Sequence, residues 1–291
     1  MKPGDIQALV LRNEAQTLLP IAGAPSLSNA SGELLREIQT LDEYGDQHSI
    51  HVPIERPLTV FVDDCELVTL WTLGACPEWL VLGYLRNQRL LGNVTELESI
   101  AVDWQASSAR VTTRRAAAGV GSGTVAESFG RKGAAVLATG ASLAGVDTFA
   151  PVLVPERFSR SRLLCVLEIV KQYDAVYRSS GSVHGCALFH GVDLWVSVED
   201  TSRRNAMDII AGWMALHGVS GSGKVLFTTG RLTAEMVMKA VSSGVPTVVS
   251  RKGMTAACCE LAAKFGMILF GHAANRHYVC YAGAERFDAQ E

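Results

Sequence analysis

Alternating and helical spacings of apolar residues predict a small β-rich region in the first half of the chain. Pro77 stands in the first turn of the predicted helix, where its missing N–H group removes no helical hydrogen bond. Ile100, Val102 and Trp104 share one face of the third strand, as in a strand with one buried side. The predicted elements are strands at 58–62, 65–70, 98–105 and 109–114 and a helix at 77–91.

Strands and helices alternate in the second half of the chain. The predicted helices are 161–178, 203–216, 232–242 and 255–265, and the predicted strands are 186–189, 194–198, 225–228, 246–250, 267–270 and 277–281. Repeated strand–helix units need crossover connections between neighbouring strands. We therefore expect a largely parallel sheet covered by helices, and an α/β fold that is α+β overall.

Shifts in composition predict the domain organisation. Residues 1–52 are weakly periodic and are interpreted as an N-terminal extension of uncertain order, with regular structure beginning near Arg56. A stretch rich in glycine, alanine and serine follows the first set of strands, which is typical of a linker or loop. The predicted units are the extension, a β-rich domain with one helix at 53–118, a Gly-rich loop at 119–145 and an α/β domain at 146–291.

Composition narrows the classes of function. The chain has 291 residues, of which 48% are hydrophobic and 19% charged, and its net charge is −3. This near-neutral balance gives no sign of a nucleic-acid or acidic-membrane partner. No long apolar segment resembles a signal peptide or a membrane span. The sequence thus predicts a cytoplasmic protein with no nucleic-acid or membrane partner.

The cysteines predict a reduced protein. There are seven, an odd number, and no two have CxxC spacing. Cys165, Cys258 and Cys259 lie in apolar helical patterns, so we expect buried thiols in a reducing compartment.

Two strand-to-helix junctions are the main candidates for ligand binding. One runs from Thr228 to Arg231 and the other from Ser250 to Gly253, and each combines a glycine and an arginine with the start of a helix. Free N–H groups at a helix start, together with guanidinium, suit a phosphate. Ligands of open α/β sheets collect at the carboxyl ends of strands, so two neighbouring junctions could hold a diphosphate. The alternative is that the glycines only turn the chain and the arginines are solvated.

A third junction joins the strand at 194–198 to the helix at 203–216. Its carboxylates, among them Asp200, could accept hydrogen bonds from the edge of a guanine. Alternatively, Thr201 or Asn205 caps the helix and the charges form surface ion pairs.

Two other patterns are weaker. His184 and His190 flank Cys186, but the H-x-E and P-C-x-x-C motifs of zinc deaminases are absent, so no metal site is predicted. Residues 218–224 match GxxxxGK, yet a helix precedes them and a strand follows, which reverses the order in a phosphate-binding loop. We interpret them as a helix-to-strand turn.

Six short segments of the chain match a known family in order and spacing. They are ERPLTV at 55–60, SVHGCAL at 182–188, VSVED at 196–200, RxNA at 203–206, TTGRxxxEM at 228–236 and PTVVSR at 246–251. Together they resemble the FdhD family of formate dehydrogenase accessory proteins. The resemblance implies a homodimer whose C-terminal domain is similar to cytidine deaminase, a three-layer fold, without its zinc. It also implies that the protein acts on the bis(molybdopterin guanine dinucleotide) molybdenum cofactor.

In that family, sulfur from a cysteine desulfurase is thought to pass through a CxxC pair on a glycine-rich loop. Here the two cysteine positions hold Ser122 and Val125, which cannot carry a persulfide. Arg204 stands where the family usually has histidine, and the C-terminal cofactor-binding stretch reads HAANR at 272–276. The pattern resembles the cysteine-less FdsC-type branch of the family, whose members are chaperones of molybdenum formate dehydrogenases.

The sequence therefore predicts a chaperone, not an enzyme, that binds this cofactor as cargo and aids its insertion into an apo-dehydrogenase. GDP or GMP should mimic part of the cargo, and a desulfurase is a further expected partner. The expected binding residues are Asp200, Arg203, Asn205, Thr229, Gly230, Arg231, Met236, Ser250, Arg251, His272, Ala273, Ala274, Asn275 and Arg276. One alternative is a sulfurtransferase that uses Cys186, activated by its neighbouring histidines; another is a structural subunit of the dehydrogenase.

Overall fold

The computed structural model describes residues 18–117, 153, 156–173 and 175–290. Its strands are β1 (Ser26–Leu27), β2 (Leu35–Leu41), β3 (Gln47–Pro53), β4 (Arg56–Val62), β5 (Cys65–Thr72), β6 (Leu97–Asp103), β7 (Ser108–Thr113), β8 (Phe158–Ser159), β9 (His184–His190), β10 (Asp193–Asp200), β11 (Lys224–Thr228), β12 (Thr247–Ser250), β13 (Ile268–Ala274), β14 (His277–Ala282) and β15 (Phe287–Asp288). Its helices are α1 (Pro77–Asn87), α2 (Arg114–Ala117), α3 (Arg160–Val170), α4 (Ala175–Ser180), α5 (Arg203–Leu216), α6 (Ala234–Ser242) and α7 (Ala256–Lys264). Ser122 and Val125, at the positions of the family's cysteines, lie outside the described residues.

The N-terminal region is a five-stranded sheet in the order β1-β6-β7-β4-β5. The strands predicted at 58–62 and 65–70 are confirmed as β4 and β5, which pair antiparallel, and those predicted at 98–105 and 109–114 are confirmed as the antiparallel pair β6 and β7. Strands also occur before Arg56, contrary to prediction. Ser26–Leu27 extends this sheet by pairing with β6, and β2 and β3 form a separate hairpin.

The C-terminal region is a six-stranded sheet in the order β10-β9-β11-β12-β13-β14. Only the pairs β11–β12 and β12–β13 are parallel, so the sheet is mixed instead of largely parallel. Short turns through Gly191 and Asn275, whose φ values are 63° and 56°, connect β9 to β10 and β13 to β14. Connections this short join antiparallel neighbours, whereas the crossover helices α6 and α7 join parallel ones.

Helices cover both faces of this sheet. Side chains alternate between faces along a strand, so Leu188 and Leu226 pack with helices α5, α6 and α7, while Phe189 and Phe227 pack with α3. The C-terminal region thus has three layers, and the predicted α/β class, α+β overall, is confirmed.

The helix predicted at 161–178 is divided. Helix α3 ends at Val170. The backbone N–H groups of Gln172 and Tyr173 then donate to the carbonyls three residues earlier, as in the tight last turn of a helix, and α4 begins at Ala175. In helix α4, beyond this break, Tyr177 is 38% exposed. Cys165 is also exposed, whereas Cys258 is buried as predicted.

Helix α1 of the N-terminal region packs closely on α5 of the C-terminal region. A Cβ atom added to Gly83 would lie 1.7 Å from the carbonyl oxygen of Asp208, and one added to Gly212 would lie 1.9 Å from that of Trp79. Only glycine allows the two backbones to come so close. Leu73 and Leu80 share a core with α5, so the two regions are joined by buried apolar contact.

Candidate functional site

The predicted binding residues gather at one edge of the six-stranded sheet. Strands β10, β11, β12 and β13 all end there, and β9 and β14 begin there. We call this side of the sheet the carboxyl edge. Ligands of α/β proteins collect at such an edge, so the geometry agrees with the position expected for a site.

The two predicted junctions lie side by side. The backbone N–H of Arg251 donates to the carbonyl of Thr228 at 2.9 Å, and the Ser250 hydroxyl donates to the carbonyl of Gly230 at 2.7 Å. These bonds extend the parallel pairing of β11 and β12 beyond the strands. The junctions are therefore one connected loop pair, as expected from neighbouring strands.

Some of the amides expected to be free are used inside the protein. The N–H of Thr229 donates to the carbonyl of Gly185 at 2.9 Å, and that of Gly230 donates to the Thr228 hydroxyl at 3.2 Å. Thr229 and Ser250 are themselves buried. The polar groups of these two residues hold the loops in place, so the arginine side chains are left as the main donors to an anion.

Three of those side chains, Arg203, Arg204 and Arg231, form what we call the arginine cluster. The stem of Arg203 crosses Gly230 so closely that an added Cβ atom would lie 2.8 Å from the Cβ of Arg203. Burial lowers the pKa of Arg203, and the charges of Arg204 and Arg231 lower it further. Its Nε is buried and finds no hydrogen-bond partner among the described residues. Like charges held together in this way favour a bound anion.

One carboxylate accompanies the arginine cluster. Glu235, in the first turn of α6, accepts a hydrogen bond from Nε of Arg204 at 2.6 Å. Three guanidinium groups against one carboxylate leave the cluster with a net positive charge. The side chains of Arg204 and Glu235 are 53% and 27% exposed, so the ion pair is open to solvent.

Arg251 lies in a separate place on the carboxyl edge. Its guanidinium is 5.7 Å from the ring centres of Tyr177 and Phe227. It lines a cavity of about 110 Å³, which we call the Arg251 cavity. The residues that line it are Leu167, Val170, Lys171, Phe227, Arg251, Ala273, Ala274 and Asn275.

The single pocket expected to contain both Arg231 and Arg251 is not what the described residues form. Arg231 is exposed and does not belong to the lining of the Arg251 cavity. A cavity of about 110 Å³ has room for a few water molecules, far less than the roughly 300–1,000 Å³ of a ligand pocket. The cavity that the described residues form is therefore too small to enclose a whole nucleotide.

Asp200 and Asn205 have another role than the one predicted. Asp200 is fully buried and accepts hydrogen bonds from the Thr72 hydroxyl at 2.5 Å and the Leu73 N–H at 3.1 Å. The amide nitrogen of Asn205 donates to Asp200 at 3.0 Å and to the carbonyl of Trp71 at 2.7 Å. Burial raises the pKa of Asp200 while these donors oppose the rise. Both groups tie α5 to strand β5, so neither is presented to a guanine.

The predicted caps of α5 are also corrected. The side chain of Ser202, not that of Thr201 or Asn205, accepts from the backbone N–H of Arg204 at 3.3 Å. Met236, another predicted binding residue, is fully buried in the core and can affect a ligand only through packing.

The stretch from His272 to Arg276 crosses the second junction. His272 donates its backbone N–H to the carbonyl of Lys252 at 3.0 Å, and its Nε2 lies over Gly253. Asn275 and Arg276 are exposed at the turn that follows. These polar side chains therefore lie beside the second junction, and their role in binding stays a prediction.

Cys186 lacks the properties of a nucleophile. It is 1% exposed, and burial raises the pKa of its thiol to about 12. The pKa of His184 is lowered by burial and by the charge of Arg203, so this ring is not the cation that the sulfurtransferase alternative requires. Metal ligands are likewise missing, since the described residues contain no group of three or more His, Cys, Asp or Glu side chains suited to an ion.

The sequence interpretation missed a network behind the arginine cluster. Lys239 donates to the carboxylate of Asp208 at 2.7 Å in the interior, and lies 3.5 Å from Glu235. Two signals pointed to it. Glu235 and Lys239 are four residues apart on one helix, and Asp208 interrupts an apolar helical pattern where a charge needs a buried partner.

No helix of the described residues is long and apolar enough to cross a membrane.

Comparison with known proteins identifies a family and several relatives. The sequence pattern of the FdhD/NarQ family matches residues 53–288 of this chain. A sulfur carrier protein FdhD from Halalkalibacterium halodurans is 24% identical over 265 residues, which are 83% of this chain and 91% of the relative. One from Staphylococcus aureus strain MRSA252 is 25% identical over 276 residues, 91% and 95% of the two chains. A crystal structure from Desulfotalea psychrophila, described as a formate dehydrogenase accessory protein, has a TM-score of 0.69 at 22% identity, covering 87% of this chain and 98% of that one.

Proposed function

The chain belongs to the FdhD/NarQ family, and we propose that it binds the bis(molybdopterin guanine dinucleotide) cofactor as cargo and aids its insertion into an apo formate dehydrogenase. The cargo is held at the carboxyl edge through its guanosine diphosphate groups. The names of its relatives, a formate dehydrogenase accessory protein among them, support a role in the maturation of that enzyme.

The observation that carries this proposal is the concentration of arginines beside the ends of parallel strands. Among the residues that the structure describes, the arginine cluster sets three guanidinium groups against the carboxylate of Glu235, although the whole chain has a net charge of −3. Guanidinium groups bind phosphate oxygens in a fork geometry that a diphosphate can satisfy twice. Arg251, on the adjoining loop, can reach a second group of the same ligand.

The contacts of the described residues favour Asn275 as the side chain that contacts the base. Asp200 and Asn205 are occupied inside the protein, whereas Asn275 is exposed and lines the Arg251 cavity. An amide donates and accepts at once, which suits the mixed edge of guanine. In the proposed complex the arginine cluster therefore binds phosphate, and Asn275 lies nearest the base.

Titration of GDP into the protein by calorimetry tests this assignment. Arg231→Ala and Arg251→Ala each remove a charge-assisted contact and should weaken binding about tenfold. Arg160→Ala, which removes an exposed arginine from the start of α3, is the matched control and should bind normally. Unchanged affinity in both edge variants would refute the site.

Cargo itself can be sought in cells. The protein would be purified from cells that make the cofactor and hydrolysed in acid, and the released GMP and oxidised pterin measured. Both should be present in the wild type and reduced in Arg231→Ala. The homodimer expected from the family resemblance stays a prediction, which sedimentation velocity measures directly.

A second function, sulfur transfer, is favoured by the names of the relatives, which are sulfur carrier proteins. The buried thiol of Cys186 speaks against it within the described residues. The discriminating assay is persulfide labelling after incubation with a desulfurase and cysteine. Labelling of Cys186 that disappears in Cys186→Ser would establish sulfur transfer in place of the chaperone role.

A further inference from the structure

A chain of polar contacts runs from the interior to the arginine cluster. The amide of Asn87, at the end of α1, donates to Asp208 at 2.7 Å, and Lys239 donates to the other oxygen of Asp208 at 2.7 Å. Lys239 also lies 3.5 Å from Glu235, whose second oxygen accepts from Nε of Arg204 at 2.6 Å. The contacts thus link helices α1, α5 and α6 to one exposed guanidinium.

The inner half of this chain is rigid because it is buried. The side chains of Lys239 and Asp208 are 7% and 3% exposed, and a buried ion pair stays together because separating it would leave an unpaired charge. Glu235 is therefore fixed from behind by Lys239. Its carboxylate in turn fixes Arg204, a long side chain that is 53% exposed and otherwise free to rotate.

We propose that Glu235 is a positioning residue of the anion site: it holds Arg204 beside Arg203 and Arg231, so that three guanidinium groups are preorganised for one phosphate. This inference rests on the proposed function, because it concerns the same site. Arg204 donates from Nε to Glu235, and in the proposed site its two terminal nitrogens donate to the phosphate.

Charge alone predicts the opposite effect of Glu235. A carboxylate beside an anion site repels the anion, and removing it should strengthen binding by roughly threefold in a solvent-exposed site. Loss of a preorganised, charge-assisted contact should weaken binding about tenfold. The sign of the change therefore separates a positioning role from a neighbouring charge.

The test is calorimetric titration of GDP into the full chain. Glu235→Gln and Arg204→Ala should each weaken binding about tenfold, and the double variant should bind no more weakly than either single variant. Glu260→Gln, which removes an exposed carboxylate from α7, is the matched control and should bind like the wild type. Equal or tighter binding by Glu235→Gln, or additive losses in the double variant, would overturn the inference.

Arg204→Lys gives a second measurement that does not disturb the buried pair. Lysine keeps the charge, but it cannot bond to Glu235 through one nitrogen and to phosphate through two others. It should bind GDP about tenfold more weakly than the wild type; full affinity would overturn the inference. If the wild type binds no GDP, the proposed function falls and this inference with it. If the wild type binds and Glu235→Gln is unaffected, only the inference falls.

Discussion

The two edges of the six-stranded sheet use basic side chains in opposite ways. At the edge where β10 and β11 begin, Arg162 donates to the carbonyls of Gly191 and Gly223, both at 3.0 Å. Lys224 is 6% exposed there, with its ammonium 4.3 Å from the centre of the Trp195 ring. These cations stabilise the fold, whereas Arg204 and Arg231 of the arginine cluster are exposed to solvent. A basic residue near a strand end thus does not indicate a ligand when backbone carbonyls already accept the hydrogen bonds of its side chain, as they do for Arg162.

This comparison explains the GxxxxGK pattern. Its lysine is Lys224, which begins β11 after the turn that follows α5 and so lies at the edge opposite the proposed site. The interpretation as a helix-to-strand turn is confirmed.

The largest expected effect is the loss of stability on substitution of Asp200. This residue tests the difference between the two edges, because it lies at the carboxyl edge and yet its contacts stabilise the fold. Asp200→Asn would turn an amide donor toward groups that are all donors, and should destabilise the protein by about 3 kcal/mol. The free energy of unfolding in urea measures this. Asp193→Asn, at the exposed start of the same strand, is the control, with a change below about 0.5 kcal/mol. Normal stability of Asp200→Asn together with weakened GDP binding would show that Asp200 is a binding residue after all.

The next effect concerns the opposite edge. Arg162→Ala removes two hydrogen bonds to carbonyls and the contact with the Phe158 ring, whose centre is 5.0 Å from the guanidinium. The expected cost is about 2 kcal/mol of unfolding free energy. GDP affinity should not change. Its exposed neighbour in the same helix, Arg160, supplies the control, and a loss of GDP affinity in Arg162→Ala alone would show that the two edges are not independent.

Local patterns were sufficient for most of the fold. Helix α5 begins and ends where predicted, at Arg203 and Leu216, because its apolar residues recur at helical spacing along most of its length. The hairpin of β2 and β3 was missed because Ile38 and Ile50 remain 38% and 43% exposed, so no buried face imposes a strong alternation on the sequence.

The candidate site was predictable in position but not in detail. Strand order brings the junctions to one edge, and that follows from the pattern of elements. The partner of Asp200 is Thr72, which is 128 positions away, and no local spacing reveals such a contact. Burial of Cys186 by helices packed on its strand likewise reversed the effect expected from its neighbouring histidines.

The smallest effect is the pH dependence of Lys224. Burial lowers its pKa from the ordinary value of 10.5, with Arg162 adding to the shift and Glu156 opposing it. The unfolded chain therefore holds this proton to higher pH than the folded protein does, so stability rises with pH between the lowered pKa and 10.5. Lys224→Met lacks this gain. At neutral pH the two proteins should differ by about 1 kcal/mol or less, because the lost contact with Trp195 offsets the relief of burying a charge.

The measurement is the difference in unfolding free energy between wild type and Lys224→Met from neutral pH to the alkaline range. The wild type should become more stable relative to Lys224→Met as pH rises, because only the wild type loses a buried charge. A lysine that was solvated like the cations of the carboxyl edge would keep its ordinary pKa and give a flat difference over the same range. A flat result would therefore show that Lys224 is solvated like the arginines of the carboxyl edge. The opposite edge would then also be a candidate for anion binding.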